Sequence, residues 1–466
     1  MEIFTFLRRT GVGFFAIFVV SIHVAAQGPE ANPKKDDVPL QEKLWQMVVA
    51  YIDVDSRTGS IRERYQALVQ RNNVGGVLLE NANANEYETH IETGPGTQSV
   101  RQYDQMVADL KARPKTPMFV AEDYFFNDDG ISPMQVGASN DADCALFYGY
   151  LSGKRMAAYG YNLAFSPIVE IFDDATNSGF SMHASKKLYF GSEPAKLRET
   201  LPQVIRGFEL GGVIPTMKHF PYVPIQYDPH KVIGTNRKPL EKIQAGLTLL
   251  SEVSNDLEKL DIEPVVMTTH TFNPLVDAEH VATFSKTWVS DLLSEAIQDR
   301  GLVITDGLFM GGLYKKNFLN IYRDELLRDY SETEKDRIIA MLVEGYSPKT
   351  REAFAILTTQ FALQAIMAGH DLILLEADDI IVQSIFDNLF RLAQEKSAKG
   401  EELKKRIEAS YVKIDRIKKK YRHILDPRVQ HEAFPAELHQ RFKTAISAKR
   451  YDLCAGFVDG EGLRER

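Results

Sequence analysis

The sequence has little cysteine and no excess of positive charge. Its 466 residues include two cysteines, Cys144 and Cys454, which excludes a disulfide-rich scaffold. We expect each to be a small buried apolar residue, although one disulfide between them is possible. The net charge of −9 argues against nucleic acid as a partner. No ligand cluster with zinc spacing occurs, so we predict neither a metal nor an organic cofactor.

Long apolar runs are confined to the start of the chain. Two arginines precede the apolar stretch 12–26, and Val24 and Ala26 place small residues before a polar segment. This pattern predicts a secretory signal peptide over residues 1–26, because the run is too short for a membrane span. An uncleaved anchor is the alternative. Residues 27–41 are predicted to be a linker. We therefore expect an exported protein, periplasmic or secreted, with no stable membrane span after signal cleavage.

Eight apolar runs of strand length alternate with helix-like stretches. The runs are residues 47–52, 74–79, 117–121, 163–168, 213–217, 265–269, 302–305 and 371–375. They are continuous, as expected for parallel strands that are buried on both faces. This order predicts a (β/α)8 TIM barrel that forms a single catalytic domain over residues 42–425. A doubly wound open sheet is the alternative, but no glycine-rich dinucleotide fingerprint follows the first run.

Two segments exceed what a minimal barrel needs. Residues 313–352 form an insertion after the seventh strand, with a charged helix predicted around Glu332 to Glu344. It falls on the face of the barrel where active sites form, so a lid or specificity loop and a solvated decoration both remain open. A basic amphipathic helix over 401–422 is predicted to pack on the surface. Residues 426–466 form a tail without a motif.

The candidate site residues are charged or titratable residues that follow four of the eight predicted strands. They are Glu122 and Asp123 after the third strand, Lys218 and His219 after the fifth, His270 after the sixth and Asp306 after the seventh. In a parallel barrel these positions converge on one mouth. Asp306 ends an apolar strand and has no cation beside it in sequence. A helix N-cap is an alternative role for Asp306 and for Asp123.

The segment that follows the fifth strand is predicted to be an irregular loop. Three prolines between Lys218 and His230 exclude a regular helix or a central strand. The loop ends with the pair Asp228 and His230. A titratable pair on a loop is typical of proton transfer, and an exposed turn pair is the alternative.

Several of these segments together resemble one known family. The segments are Lys218-His219-Phe220-Pro221 followed by Asp228-Pro229-His230, Val303 to Met310, Gly160 to Pro167, Phe190 to Pro194, Met267 to His270 and Ala368 to Leu372. They resemble, in order and spacing, the motifs of glycoside hydrolase family 3. Within that family they resemble the single-domain β-N-acetylhexosaminidases, over roughly residues 44–425.

The resemblance implies a function and a role for each site residue. It implies a retaining glycosidase that hydrolyses terminal β-linked N-acetylhexosamine, from peptidoglycan or related glycans, through a covalent glycosyl-enzyme. Asp306 matches the catalytic nucleophile, His230 the general acid/base, and Asp228 its partner in an Asp-His dyad. Three further residues match positions that hold sugar hydroxyls: Asp123, Lys218 and His219.

The chain departs from the family pattern at three places. Tyr222-Val223-Pro224 replaces a Gly-His-Gly sequence, and the loop is one residue shorter. Only Asp123 remains of an Asp-Gln-Glu-Gly-Gly motif, and Leu188 stands where the family has a sugar-binding arginine. These changes keep two alternatives open. One is a glycan-binding pseudoenzyme. The other is a β-N-acetylglucosaminide phosphorylase, since a histidine tolerates a phosphate acceptor better than a carboxylate acid/base does.

Overall fold

The structure of the chain is a computed structural model. The described residues are 38–55, 60–61, 65, 68, 73–80, 107–108, 110–111, 116–123, 132–172, 187–221, 230–235 and 239–426. The predicted signal peptide, residues 27–37 of the predicted linker and residues 427–466 of the predicted tail lie outside them. Those domain boundaries therefore stay predictions.

Short parallel strands form the centre of the molecule. The strands are β1 Val48–Asp55, β2 Ser60–Ile61, β3 Gly76–Glu80, β4 Phe119–Glu122, β5 Leu163–Ala164, β6 Ile214–Pro215, β7 Met217–Phe220, β8 Val265–Thr268, β9 Leu302–Ile304 and β10 Ile373–Leu375. Hydrogen bonds join β10, β1, β3, β4, β5 and β6 in that order, and separately join β7, β8 and β9. Among the strands that the structure describes, every pair is parallel except β2 with β1.

Two junctions close these sheets into a ring. Strands β6 and β7 occupy one barrel position and are separated by Thr216, whose N–H donates to the carbonyl of Ala164 at 2.8 Å. Strands β9 and β10 meet where the Leu372 N–H donates to the Val303 carbonyl at 3.0 Å and the Thr305 N–H donates to the Leu372 carbonyl at 3.1 Å. The ring has eight strand positions. The predicted (β/α)8 barrel is confirmed, and the open sheet is excluded.

Helices cover the outside of the barrel. They are α1 Leu40–Gln46, α2 Pro133–Ser139, α3 Ala142–Ala158, α4 Pro194–Leu210, α5 Leu240–Lys259, α6 Ser294–Ala296, α7 Lys316–Leu326, α8 Glu332–Val343, α9 Arg351–Ala368, α10 Asp379–Ala393, α11 Ala398–Lys420 and α12 Arg422–Leu425. A π-helix, Thr287–Leu293, leads into α6. Side-chain oxygens cap several amino-terminal ends: Asp378 accepts from the Ile381 N–H at the start of α10. Helix α1 begins at Leu40, inside the segment predicted as linker.

Glycines allow α3 and α4 to pack closely. A β-carbon on Gly149 would lie 2.1 Å from the carbonyl oxygen of Val204, and one on Gly207 would lie 2.3 Å from the carbonyl oxygen of Leu146. The two helices therefore approach each other backbone to backbone at these positions. Any side chain there would force them apart.

The insertion forms two helices that pack on the barrel. The predicted helix near Glu332 is α8, whereas α7 was not predicted. Phe318 and Tyr322 of α7 are buried, and the ring of Phe318 lies 6.2 Å from that of Phe361 in α9. On the outer face, Arg323 pairs with Glu332 at 2.7 Å. The insertion is thus an ordered layer with an apolar inner face and a charged outer face.

The basic helix α11 closes the barrel at the amino-terminal ends of the strands. The Lys418 Nζ donates at 2.8 Å to Gln46 Oε1 and to the carbonyl of Gly75, and it lies 4.8 Å from the centre of the Phe119 ring. Burial lowers the pKa of Lys418 to about 7. Among the helices that the structure describes, none is long and apolar enough to cross a membrane.

Candidate active site

Two predicted site residues lie within a strand and not after it. Lys218 and His219 are part of β7, which continues to Phe220, whereas the sequence prediction ended this strand at Met217. Strand β7 loses its regular register against β8 between Met217 and Phe220. The Lys218–His219 peptide bond is cis. Both side chains are buried at the carboxyl end of the strand, where a barrel opens into its mouth.

Lys218 pairs with Asp123, the residue that follows β4. The Lys218 Nζ donates to Asp123 Oδ1, and the Lys218 side chain is 2% exposed while that of Asp123 is 47% exposed. A buried cation thus holds a carboxylate that faces the mouth. Charge-assisted hydrogen bonds of this kind fix orientation as well as add stability. Two of the residues predicted to hold sugar hydroxyls are therefore in direct contact.

His219 is held by Glu170, which the sequence analysis missed. Glu170 Oε1 lies 3.2 Å from the His219 ring Nδ1 and accepts from the His219 backbone N–H at 3.3 Å. Glu170 is 1% exposed, and its other oxygen, Oε2, has no hydrogen-bond partner among the residues that the structure describes. The fourth predicted strand ended at Ile168, but the Val169 N–H donates to the Lys218 carbonyl and extends the pairing. Following the strand two residues further would have found Glu170.

Asp306 lies two residues beyond β9, next to a buried histidine. The Gly307 N–H donates to Asp306 Oδ1 at 2.9 Å. His270, which follows β8, has its ring Nε2 2.9 Å from the Gly307 carbonyl oxygen. Burial lowers the pKa of His270. The charge of Asp306 opposes this shift, and the charges of His230 and His219 add to it. Gly307 therefore links the Asp306 carboxylate to a buried imidazole.

His230 is exposed and lies close to the segment that follows Asp306. Its carbonyl oxygen lies 2.3 Å from the point where a β-carbon on Gly311 would be. The two loops are thus in backbone contact. Residues 222–229, which include Asp228, lie outside the described residues. The predicted Asp228–His230 dyad and the altered loop at Tyr222 therefore stay predictions.

Glu376 is a second carboxylate that the sequence analysis missed. It directly follows β10, and its Oε2 lies 1.9 Å from the place where a β-carbon on Gly307 would be. The strand-end rule that selected Asp306 would also have selected Glu376. Its carboxylate occupies the space that glycine leaves open beside the Asp306 loop.

The position of the expected arginine is apolar. Leu188 is 3% exposed and clusters with Ile168 and Tyr189, so it contributes no cation to the mouth. Among the residues that the structure describes, no group of three or more His, Cys, Asp or Glu side chains is arranged to hold a metal ion.

Comparison with known proteins identifies the family. The sequence pattern described as "Glycosyl hydrolase family 3 N terminal domain" matches residues 39–323. The chain belongs to glycosyl hydrolase family 3. A β-hexosaminidase from Bordetella pertussis is 30% identical to this family 3 chain over 220 residues. The match covers 43% of this chain and 59% of the relative, so the family 3 chain spans about three fifths of that relative's length.

Solved structures show the same fold. A glycoside hydrolase family 3 β-N-acetylglucosaminidase from Paenibacillus aligns with a TM-score of 0.59 at 20% identity, over 87% of this family 3 chain and 68% of that chain. A β-N-acetylhexosaminidase from Beutenbergia cavernae aligns with a TM-score of 0.56 at 18% identity, over 81% of this chain and 99% of that chain. At these identities the similarity establishes the barrel fold.

Proposed function

We propose that this family 3 chain is an exported retaining glycosidase that hydrolyses terminal β-linked N-acetylhexosamine, from peptidoglycan or related glycans. The observation that carries the proposal is the position of His219 and Asp306 at the carboxyl ends of β7 and β9, with the His230 backbone in contact with the segment that follows Asp306. The Asp123–Lys218 pair lies at the same end of the barrel. The choice of sugar is supported by the Bordetella pertussis relative, which is named a β-hexosaminidase.

In the proposed first step, the carboxylate of Asp306 attacks the anomeric carbon of the sugar. The bond from that carbon to the leaving oxygen breaks, and His230 gives that oxygen a proton. Asp123, Lys218 and His219 hold the sugar hydroxyls. Histidine suits the acid role because its proton exchanges near neutral pH, and Asp228 would favour the protonated ring.

In the proposed second step, water attacks the same anomeric carbon and releases Asp306. His230 now accepts a proton from that water, so it returns to its starting state. Two displacements at one carbon preserve the β configuration of the sugar. This outcome separates a retaining enzyme from an inverting one.

The proposal of export is supported by the predicted signal peptide over residues 1–26. Cell fractionation of the full chain and of a chain without residues 1–26 tests this proposal. Retention of the full chain in the cytoplasm would contradict it.

Turnover of p-nitrophenyl N-acetyl-β-glucosaminide tests the activity. We expect nitrophenol release by the wild type, a loss of at least about 1,000-fold in Asp306→Ala, and no loss in the exposed control Asp329→Asn. Proton NMR of the first product should show the β anomer. Sugar binding without turnover would favour the pseudoenzyme. A sugar phosphate formed only when phosphate is present would favour the phosphorylase.

A further inference from the structure

The imidazole of His270 contacts the carbonyl of Gly307, the residue after Asp306, and takes no part in the proposed chemistry. Its side chain is buried, with 1% of the residue exposed, so it cannot contact a sugar in the mouth. Both ring nitrogens nevertheless have partners. Nε2 lies 2.9 Å from the Gly307 carbonyl oxygen, and Nδ1 lies 2.9 Å from the Thr283 hydroxyl oxygen. A buried polar ring with two short contacts has a fixed orientation.

These contacts select one tautomer of His270. The Gly307 carbonyl can only accept, so Nε2 must carry the proton. Burial lowers the pKa of His270 and so favours the neutral ring. The charges of His230 and His219 also lower this pKa, whereas the charge of Asp306 raises it. The bare Nδ1 lies 2.9 Å from the hydroxyl of Thr283, whose single proton is also within reach of the Thr269 carbonyl at 3.0 Å. Thr268 Oγ1 lies 3.4 Å from the Thr283 hydroxyl oxygen and 2.9 Å from His370 Nε2, so the series of polar contacts continues into the barrel.

The peptide between Gly307 and Leu308 is held on both sides. On the β8 side, His270 donates to the Gly307 carbonyl. On the β10 side, the Leu308 N–H donates to the Leu374 carbonyl at 3.0 Å. Glycine has the most permissive backbone of all residues, so this clamp removes freedom that Gly307 would otherwise have. The N–H of Gly307 is the donor to Asp306 Oδ1.

We propose that His270 is a positioning residue, which fixes Gly307 and through it the direction of the Asp306 carboxylate. The inference rests on the proposed function, because it assumes that the Asp306 carboxylate is the nucleophile whose orientation matters. The proposed path of polar contacts runs from Thr283 through His270 and Gly307 to Asp306. An error of about 1 Å in the position of a reacting group can cost roughly 100-fold in rate.

Three variants test the path on the nitrophenyl sugar. His270→Met removes the donor to Gly307, and we expect kcat to fall about 100-fold with KM within about 3-fold of the wild type. His270→Gln keeps an N–H donor within reach of the same carbonyl and should recover at least about 10-fold of that loss. Thr283→Val removes the partner of Nδ1, together with the donor to the Thr269 carbonyl, and should give an intermediate loss.

An NMR measurement of the Gly307 amide tests the role of His270 without relying on enzymatic activity. In protein labelled with 15N-glycine, the Gly307 amide signal is assigned by its absence in Gly307→Ala. We expect this signal to shift in His270→Met and to return toward its wild-type position in His270→Gln, with thermal unfolding used to confirm that each variant folds. An unshifted Gly307 signal in folded His270→Met would overturn the inference. If the wild type fails to turn over the sugar, the proposed function fails, and the Gly307 signal still decides whether His270 holds this backbone.

Discussion

Lys218 and Asp123 are 95 positions apart in sequence, and the Lys218 Nζ donates directly to the Asp123 carboxylate. The lysine is buried within β7, and the aspartate is half exposed after β4. The barrel thus brings two strand ends together so that a cation that is shielded from water orients an anion that is open to the mouth. Both residues were selected from the sequence, but their direct pairing was not predicted.

This pairing predicts strong coupling between the two side chains. Lys218→Met and Asp123→Asn should each raise KM for the nitrophenyl sugar by about 10- to 100-fold, because each leaves its partner misplaced. The double variant should lose little more than either single one, since residues in contact are not additive. Lys259→Met serves as a control, because Lys259 is an exposed lysine that also pairs with an aspartate. Losses that multiply in the double variant would contradict the pairing.

Glu170 is predicted to act through His219. In Glu170→Leu the ring and the backbone N–H of His219 both lose their acceptor, and an unsatisfied buried donor costs about 1–3 kcal/mol. Glu170→Gln keeps an acceptor oxygen on a side chain of the same shape, so it should lower the stability less and raise KM less than Glu170→Leu does. Urea unfolding and kinetics on both variants check this order. Equal behaviour of the two variants would show that the acceptor at Glu170 does not matter.

Lys418 makes the stability of the barrel depend on pH in the alkaline range. Its pKa is about 7 when folded, against 10.5 for an ordinary lysine. Between these values the unfolded chain binds a proton that the folded chain does not, so stability rises with pH in this window. The free energy of unfolding of the wild type relative to Lys418→Met should rise by up to about 1.4 kcal/mol per pH unit.

Urea unfolding at pH 7, 8 and 9 measures this difference for Lys418. The control is Lys419→Met, which changes an exposed neighbour in the same helix and should leave the wild-type pH dependence unchanged. A constant difference between the wild type and Lys418→Met across this range would rule out the alkaline effect.

The contact between α3 and α4 predicts a cost for a single methyl group. In Gly149→Ala the new β-carbon would meet the Val204 carbonyl at 2.1 Å, and neither backbone can move alone. We expect the free energy of unfolding to fall by about 1–3 kcal/mol, as for other overpacked contacts. Lys154→Ala, an exposed change on the same helix, should have little effect. Chemical denaturation of both variants measures the difference, and an unchanged Gly149→Ala would contradict the close approach.

The sequence predicted the barrel well because continuous apolar runs leave few alternatives to buried parallel strands. It also selected Asp123, Lys218, His219, His270 and Asp306, which the structure brings to one end. It missed Glu170 because the fourth strand is short and its pairing continues through irregular backbone. It missed the role of Lys418 because a lysine in a basic helix has the local pattern of a surface residue. Only the tertiary contacts with Gln46, Gly75 and Phe119 show that it is buried.

In the proposed mechanism, Asp306 forms a covalent bond to the sugar. The most direct test is mass spectrometry of the peptide that contains Asp306, after reaction with a 5-fluoro N-acetyl-β-glucosaminyl fluoride, whose glycosyl-enzyme breaks down slowly. We expect one sugar attached to Asp306, and no attachment in Asp306→Asn. A sugar attached to another residue, such as Glu376, or steady turnover of the reagent with no attached sugar, would contradict the account.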